Sequence, residues 1–249
     1  MRYVPYRLIA PFFVGHLRGV ADHRRNDRIE ALSAQFFDAV RPLYRFVDAQ
    51  DIELHPAWAE YLAANYPIVA AWAERRWISY LQSRNPIVPA VSEKTGPPSR
   101  RAPLISQTRY WRNVIATWPE RPKCIYSGDD IEPDGFDLDH FLPWTFVCHD
   151  AIWNLLPVSP RANSAKGNRL PDRSYLSAFA AAQHRGLMTA KQIMTADDWE
   201  TATAPFLGDL RLAARDLLDP AALGDSYARL VGAQLDIART IGFEPGWRW

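Results

Sequence analysis

Cysteine is scarce in this 249-residue chain, which contains only Cys124 and Cys148. Neither of them belongs to a Cys-x-x-Cys pair, so the sequence excludes a disulfide-stapled scaffold and the common paired-cysteine metal site. Two isolated cysteines are typical of a reducing compartment, and we expect a cytoplasmic protein.

Long apolar runs and a strong net charge are also missing. Because no stretch of 18 apolar residues occurs, the sequence predicts no membrane-spanning helix and no membrane partner. The apolar segment 8–14 is short and broken by Pro11, and we interpret it as part of the folded protein rather than a signal peptide. Lys and Arg number 29 against 28 Asp and Glu, so a nucleic-acid site would have to be local.

Helical periodicity dominates the remainder of the chain. An apolar stripe runs from Asp27 to Val47 and is divided at Pro42. After Pro67 a second stripe is rich in aromatic residues, which is more typical of a core or a partner interface than of a cofactor site, and we favour a core. Prolines crowd residues 84–103, so we expect an irregular connection and a domain boundary there.

A cluster of residues able to carry chemistry lies between residues 136 and 168. A short apolar alternation ends in Asp139-His140, a second apolar run contains Asn154, and a polar segment contains Asn163. This order predicts two strands and a helix around one hydrated metal ion. A histidine accepts a proton from water near neutral pH, and hard oxygen ligands suit Mg²⁺. In an extended strand Asp139 and His140 would face opposite sides unless the chain bends there, and Pro143, which ends the strand, favours a bend.

These residues resemble the HNH endonuclease family, whose motif is an Asp-His pair, a central Asn and a final His or Asn. Here the matching positions are Asp139-His140, Asn154 and Asn163. The Asp-x-Asp-His-x-x-Pro opening and Lys166 are most similar to the HNH domain of type II RNA-guided CRISPR nucleases. The resemblance covers about residues 120–172 and does not imply RNA guidance.

The resemblance implies a metal-dependent hydrolase of phosphodiester bonds. His140 would activate the attacking water, and Asp139 and Asn163 would hold Mg²⁺, or Mn²⁺ in its place. Asn154 would fix the loop around His140. Products would carry 5′-phosphate and 3′-hydroxyl ends.

Two further positions follow from the same resemblance. Asp137 would contact the metal ligands without binding the metal ion itself. Lys166 would direct its charge towards the scissile phosphate. Many HNH proteins carry a zinc ribbon, but Ser127 stands where a second cysteine of that ribbon would be. We therefore expect no structural zinc.

Basic residues flank this cluster and predict contact with nucleic acid. They are Arg109 and Arg112 before it, and Arg161 and Arg169 within it. DNA is the expected substrate, with RNA as an alternative. No phosphate-binding loop or guide-binding region is recognisable, so a sensor or ATPase partner would select the target, as in a restriction or phage-defence effector.

Together these observations predict an α+β fold that is mostly helical, with a small ββα-metal core between helical flanks. We expect an N-terminal helical region at 1–103, the HNH nuclease core at 104–172 and a C-terminal helical region at 173–249. The alternative function is a non-catalytic HNH-like module that binds DNA or protein within a larger complex. The intact set of motif residues favours the enzyme.

Overall fold

The computed structural model describes residues 4–48, 51–95 and 102–249. Helices predominate among these residues, and two small antiparallel sheets of two strands each accompany them, which confirms the predicted α+β class. The chain divides into two units, residues 1–79 and 80–249. The three-part division at residues 103 and 172 stays a prediction.

The first unit is built around a small apolar core. Its buried side chains come from the N-terminal helical turns, from α2 and from β1, and they are Ile9, Phe13, Leu17, Ile29, Leu32 and Tyr44. The elements are α1 (Val4–Ile9), 3₁₀ helices at Ala10–Leu17 and Asp22–Arg24, α2 (Arg25–Gln35), α3 (Phe37–Val40), β1 (Tyr44–Phe46), β2 (Ile52–Leu54) and α4 (Pro56–Ala64). Helix α5 (Tyr66–Arg84) crosses the boundary between the units.

The helical stripe predicted as far as Val47 ends earlier than expected. Helix α3 ends at Val40, and Arg41 adopts a left-handed conformation with φ of 53°. Pro42 cannot continue the helix because it lacks an amide hydrogen, and it disfavours helical geometry in the residue before it. Tyr44 then pairs with Leu54 in a strand, so the helical prediction was wrong beyond residue 41.

The aromatic stripe of α5 was also interpreted wrongly. Trp72 is 66 % exposed and Tyr80 is 49 % exposed, and the structure identifies no buried residue on this helix. Helical spacing shows that side chains share a face but does not show what covers that face. These side chains therefore form a surface rather than a core.

The second unit contains the predicted ββα segment. Its elements are α6 (Val91–Thr95), α7 (Ile105–Ala116), β3 (Asp137–His140), α8 (Trp144–Val147), β4 (Leu155–Val158), α9 (Pro160–Lys166), α10 (Tyr175–Ile193), α11 (Ala196–Asp209), α12 (Pro220–Ser226) and α13 (Gly232–Thr240). Short 3₁₀ turns lie at Ile152–Asn154 and Ala214–Asp216, and a π-helical segment, Tyr227–Val231, joins α12 to α13. Residues 84–103 contain α6, so the connection is not wholly irregular; residues 96–101 lie outside the described part.

Buried polar contacts anchor the start of β4 within this unit. The carbonyl oxygen of Leu155 accepts hydrogen bonds from Trp111 Nε1 at 3.1 Å and from Gln183 Nε2 at 2.8 Å. The hydroxyl of Tyr227 donates to the carbonyl of Trp153 at 2.7 Å. Side chains of α7, α10 and the π-helical segment therefore fix the strand that pairs with β3.

None of the helices in the described ranges is both long enough and apolar enough to cross a lipid bilayer.

Candidate active site

Two short strands and one helix form the frame of the candidate site. β3 and β4 pair antiparallel, from Asp137 opposite Val158 to His140 opposite Leu155, and α9 packs against β3. Pro160 is the first residue of α9. Proline is tolerated there because an amide hydrogen at this position would have no partner within the helix. Pairing continues through His140, so the expected bend near Asp139 is absent and the neighbouring side chains make separate contacts.

Asn154 fixes the segment that follows β3. Its side-chain oxygen accepts from the amide of Leu142, and its side-chain nitrogen donates to the carbonyl of the same residue, both at 2.9 Å. Its own carbonyl accepts from the amide of Phe141 at 2.9 Å. Because Asn154 is fully buried, these three bonds satisfy polar groups that water cannot reach.

Asp139 is buried and bonded on both carboxylate oxygens. Lys166 Nζ lies 2.8 Å from Oδ1, and the Tyr126 hydroxyl donates to Oδ2 at 2.7 Å. Burial, followed by the nearby Asp139 charge, raises the pKa of Tyr126 well above its usual value, so this residue remains a neutral donor. Lys166 also donates to the carbonyl of His140 at 2.6 Å, which ties the end of α9 to the end of β3.

Asp137 and Asn163 form a second polar contact beside Asp139. The Asn163 amide nitrogen donates to Asp137 Oδ2 at 3.0 Å, and both side chains are half-buried. Asp137 and Asp139 are two residues apart on β3, which places them on one face of the strand. Oxygen atoms of two carboxylates and one amide therefore gather where α9 meets β3.

This donor set fits a hard divalent cation. Mg²⁺ prefers oxygen ligands, retains several waters and needs few protein ligands. A carboxylate accepts up to about four hydrogen bonds, so the contacts from Lys166 and Tyr126 are compatible with a metal ion on Asp139. Over the residues that the structure describes, no three His, Cys, Asp or Glu side chains form a metal-binding group, so a metal site here would need the Asn163 amide oxygen.

His140 makes its contact on the other side of the strand. Its Nε2 atom lies 2.7 Å from Oδ1 of Asp150. Asp150 lies in the loop between α8 and the 3₁₀ turn at Ile152–Asn154, ten residues after His140. Sequence reasoning missed Asp150, because no local pattern brings these two positions together.

The predicted basic residues lie on α7, on α9 and in the turn that follows α9. Arg112 on α7 pairs with Asp134 at 2.8 Å, and Arg109 on the same helix lines a cavity of about 940 Å³ between α7 and α11. Arg161 lies over the ring of Trp249 and Arg169 over the ring of Trp247, 5.7 and 5.8 Å from the ring centres. The structure thus places two of them on α7 and two near the C-terminal tail.

Tyr126 is a second contact that the sequence did not assign. It lies in a tight turn in which Gly128 donates its amide to the carbonyl of Cys124 at 2.9 Å, and Gly128 has the positive φ of 77° that such a turn requires. Cys124 itself is buried and accepts from the Ser159 amide through sulfur at 3.4 Å. The turn therefore packs against the ββα frame and delivers a phenol to Asp139.

Comparison with known families supports the identity of this segment. Residues 124–172 match the family model described as HNH endonuclease, which spans the turn at Tyr126, both strands and α9. This match supports a nuclease domain that acts on nucleic acid. HNH nucleases commonly use divalent metal ions. A comparison with curated proteins gives no match.

Proposed function

We propose that this protein is a metal-dependent endonuclease that hydrolyses phosphodiester bonds in DNA at the ββα segment. The observation that carries the proposal is the meeting of β3 and α9, which gathers Asp137, Asp139 and Asn163, with His140 at the end of the same strand. The family match covers all four residues.

Asp139 and Asn163 are the proposed ligands of Mg²⁺ or Mn²⁺. Their oxygens are hard donors on adjoining elements, and Asp137 orients the Asn163 amide through its hydrogen bond. The metal ion would supply charge stabilisation to the phosphate oxygens and to the leaving oxygen. Asn163 stands where many members of the family carry His, so Mg²⁺ or Mn²⁺ is expected in preference to zinc.

His140 is the proposed general base. It would take a proton from a water molecule, whose oxygen forms the new bond to phosphorus while the bond from phosphorus to the 3′ oxygen breaks. The leaving 3′ oxygen takes a proton from solvent. The products are a 5′-phosphate and a 3′-hydroxyl, and the imidazolium returns its proton to water.

Asn154 and Lys166 are proposed to position the reacting groups. The three hydrogen bonds of Asn154 hold the chain directly after His140. The buried ammonium of Lys166 holds both the Asp139 carboxylate and the His140 carbonyl. Replacing Lys166 with Ala is therefore expected to lower turnover more than DNA affinity.

The exposed side chains of α5 favour a protein partner. Tyr66, Ile68 and Trp72 are each more than 60 % exposed, which is unusual for large apolar residues on one helix. A sensor or ATPase that engages this helix would suit an effector of restriction or phage defence. A binding module without catalysis would use the same surface, and it would lack the metal-dependent activity tested next.

Cleavage of supercoiled plasmid tests the proposed activity. The protein is incubated with Mg²⁺, Mn²⁺, Zn²⁺ or EDTA, and nicked and linear products are separated by electrophoresis. We expect products with Mg²⁺ or Mn²⁺ and none with EDTA, because Asp139 and Asn163 offer only oxygen ligands. Cleavage that is unaffected by EDTA would contradict the metal assignment, and a complete lack of cleavage of both DNA and RNA would favour the binding module.

A further inference from the structure

The contact between His140 and Asp150 has no part in the reaction described above. Their facing atoms are 2.7 Å apart, and the two side chains are 5 % and 21 % exposed. A hydrogen bond to a carboxylate is strengthened when water is largely excluded from it. The contact is therefore strong enough to determine how the His140 ring is oriented.

The backbone around Asp150 is held in place by neighbouring groups. Gln107 on α7 donates its side-chain amide to the Asp150 carbonyl at 3.0 Å. The Ala151 amide donates to Nδ1 of His149 at 3.2 Å, and burial lowers the pKa of His149, which favours this neutral acceptor form. Cys148 turns the chain with a φ of 57°. These restraints direct the Asp150 carboxylate towards His140.

We propose that Asp150 is a positioning residue for His140, an inference that rests on the proposed nuclease function. A carboxylate that accepts from Nε2–H places the lone pair of the neutral imidazole on Nδ1. That nitrogen then takes the proton from the attacking water, and Asp150 stabilises the imidazolium that results.

A purely structural role for the pair makes a different prediction. The chain after His140 is already fixed by the hydrogen bonds of Asn154. If Asp150 only stabilised this loop, its loss would lower the cleavage rate by the same factor whether or not His140 were present. If Asp150 acts through His140, its loss matters only while the imidazole is there to be oriented.

A double-mutant cycle separates these roles. Asp150→Asn keeps the size of the side chain and removes its charge, and it is made in the wild-type and His140→Ala backgrounds. We expect kcat to fall about 10- to 100-fold in the wild-type background, with KM unchanged. This is the usual effect of removing a carboxylate that orients a histidine in a metal site. No further loss is expected from the residual cleavage of His140→Ala.

Asp209→Asn is the matched control for this cycle. The Asp209 carboxylate lies in the same unit and accepts from Trp153 Nε1 at 2.7 Å. Any effect of Asp209→Asn should be the same in both backgrounds. Equal losses for Asp150→Asn in both backgrounds, or an unchanged kcat, would overturn the proposal.

Nitrogen NMR of ¹⁵N-histidine-labelled wild-type protein gives a readout that does not depend on catalytic activity. We expect the neutral His140 ring to carry its proton on Nε2, and the His140→Ala spectrum identifies the signal. A proton on Nδ1 would overturn the proposal even in an active enzyme. If the wild-type protein cleaves no nucleic acid, the nuclease proposal fails, while the tautomer still decides how Asp150 acts on the ring.

Discussion

A buried ammonium is the most constrained group of the candidate site. The Lys166 side chain is fully buried, and its nitrogen binds the Asp139 carboxylate and the His140 carbonyl. Burying a charged group away from water costs roughly several kcal/mol. The attraction between Lys166 and Asp139 offsets that cost only while both side chains are present. Lys166 and Asp139 therefore depend on each other for the stability of the ββα segment.

Replacing Lys166 with Met tests this dependence. The change leaves the Asp139 carboxylate buried without its ammonium, and we expect the free energy of unfolding to fall by about 3–5 kcal/mol. Lys123→Met is the control, because it breaks an exposed pair with Asp130 and should cost less than about 1 kcal/mol. Urea denaturation measures both, and similar losses in the two variants would contradict this account of Lys166.

At the level of residues, motif spacing indicated the charged and polar side chains but not their partners. Asp139, His140, Asn154 and Asn163 were recognisable as a set because their order and spacing resemble those of the HNH family. The partner Asp150 was not, because its approach to His140 depends on the loop after α8. Contacts across a loop depend on backbone geometry that a sequence pattern does not encode.

At the level of elements, helices α7 and α10 approach each other closely, and both pack against β4. A methyl group added at Gly186 on α10 would lie 2.8 Å from the Trp111 ring, closer than side-chain carbons normally approach. Trp111 in turn donates to the Leu155 carbonyl at the start of β4. Gly186 is thus needed for the packing that holds the strand.

Gly186→Ala is expected to destabilise the protein by about 1–3 kcal/mol, the usual cost of overpacking a core. Gly208→Ala on α11 is the matched control, because beyond its chain neighbours and its own helix backbone no atom lies within 4 Å of the added methyl group. In a helix this second change should be neutral or stabilise by up to about 1 kcal/mol. Thermal unfolding of both variants checks the pair, and an unaltered Tm for Gly186→Ala would count against the packing argument.

The elements that the sequence predicted best are those whose hydrophobic pattern agrees with the residues that begin and end them. β3 has apolar alternation, β4 is a short apolar run, and α9 begins at a proline. The hairpin of β1 and β2 was missed because its strands have three residues each, too few to show a period. The stripe of α5 was recognised, but its exposure depends on tertiary contacts that periodicity does not report.

At the level of the whole molecule, the proposed binding of DNA requires a local cluster of positive side chains, because the overall charge is close to zero. Basic and acidic residues nearly cancel, with a net charge of +1. Arg109 and Arg112 share α7, and Arg112 pairs with Asp134 although both side chains remain substantially exposed. An exposed pair of this kind is weak and can exchange its partner for a phosphate.

Replacing Arg109 and Arg112 together with Ala should reduce the salt dependence of DNA binding. Each lost phosphate contact flattens the plot of log K against log salt by about 0.9, so we expect a change of roughly 1–2. All sequences should be weakened alike, because phosphate contacts carry no base information. Fluorescence anisotropy with cleavage blocked by Ca²⁺ measures the slope.

Arg75→Ala with Arg76→Ala is the control for that experiment. It removes the same charge from α5, in a stretch of exposed residues. We expect this control to leave the slope unchanged. The same flattening in both double variants would show that α7 is not the DNA-binding surface.

The central claim is that His140 acts as the base in a metal-dependent cleavage. Its most direct measurement is the single-turnover rate of DNA cleavage by wild type and His140→Ala, with Mg²⁺ and saturating protein. Loss of a general base should lower this rate by about 10²–10⁴-fold, while DNA affinity in Ca²⁺ and Tm stay close to wild type. A purified, folded His140→Ala protein that cleaves at the wild-type rate would contradict the account.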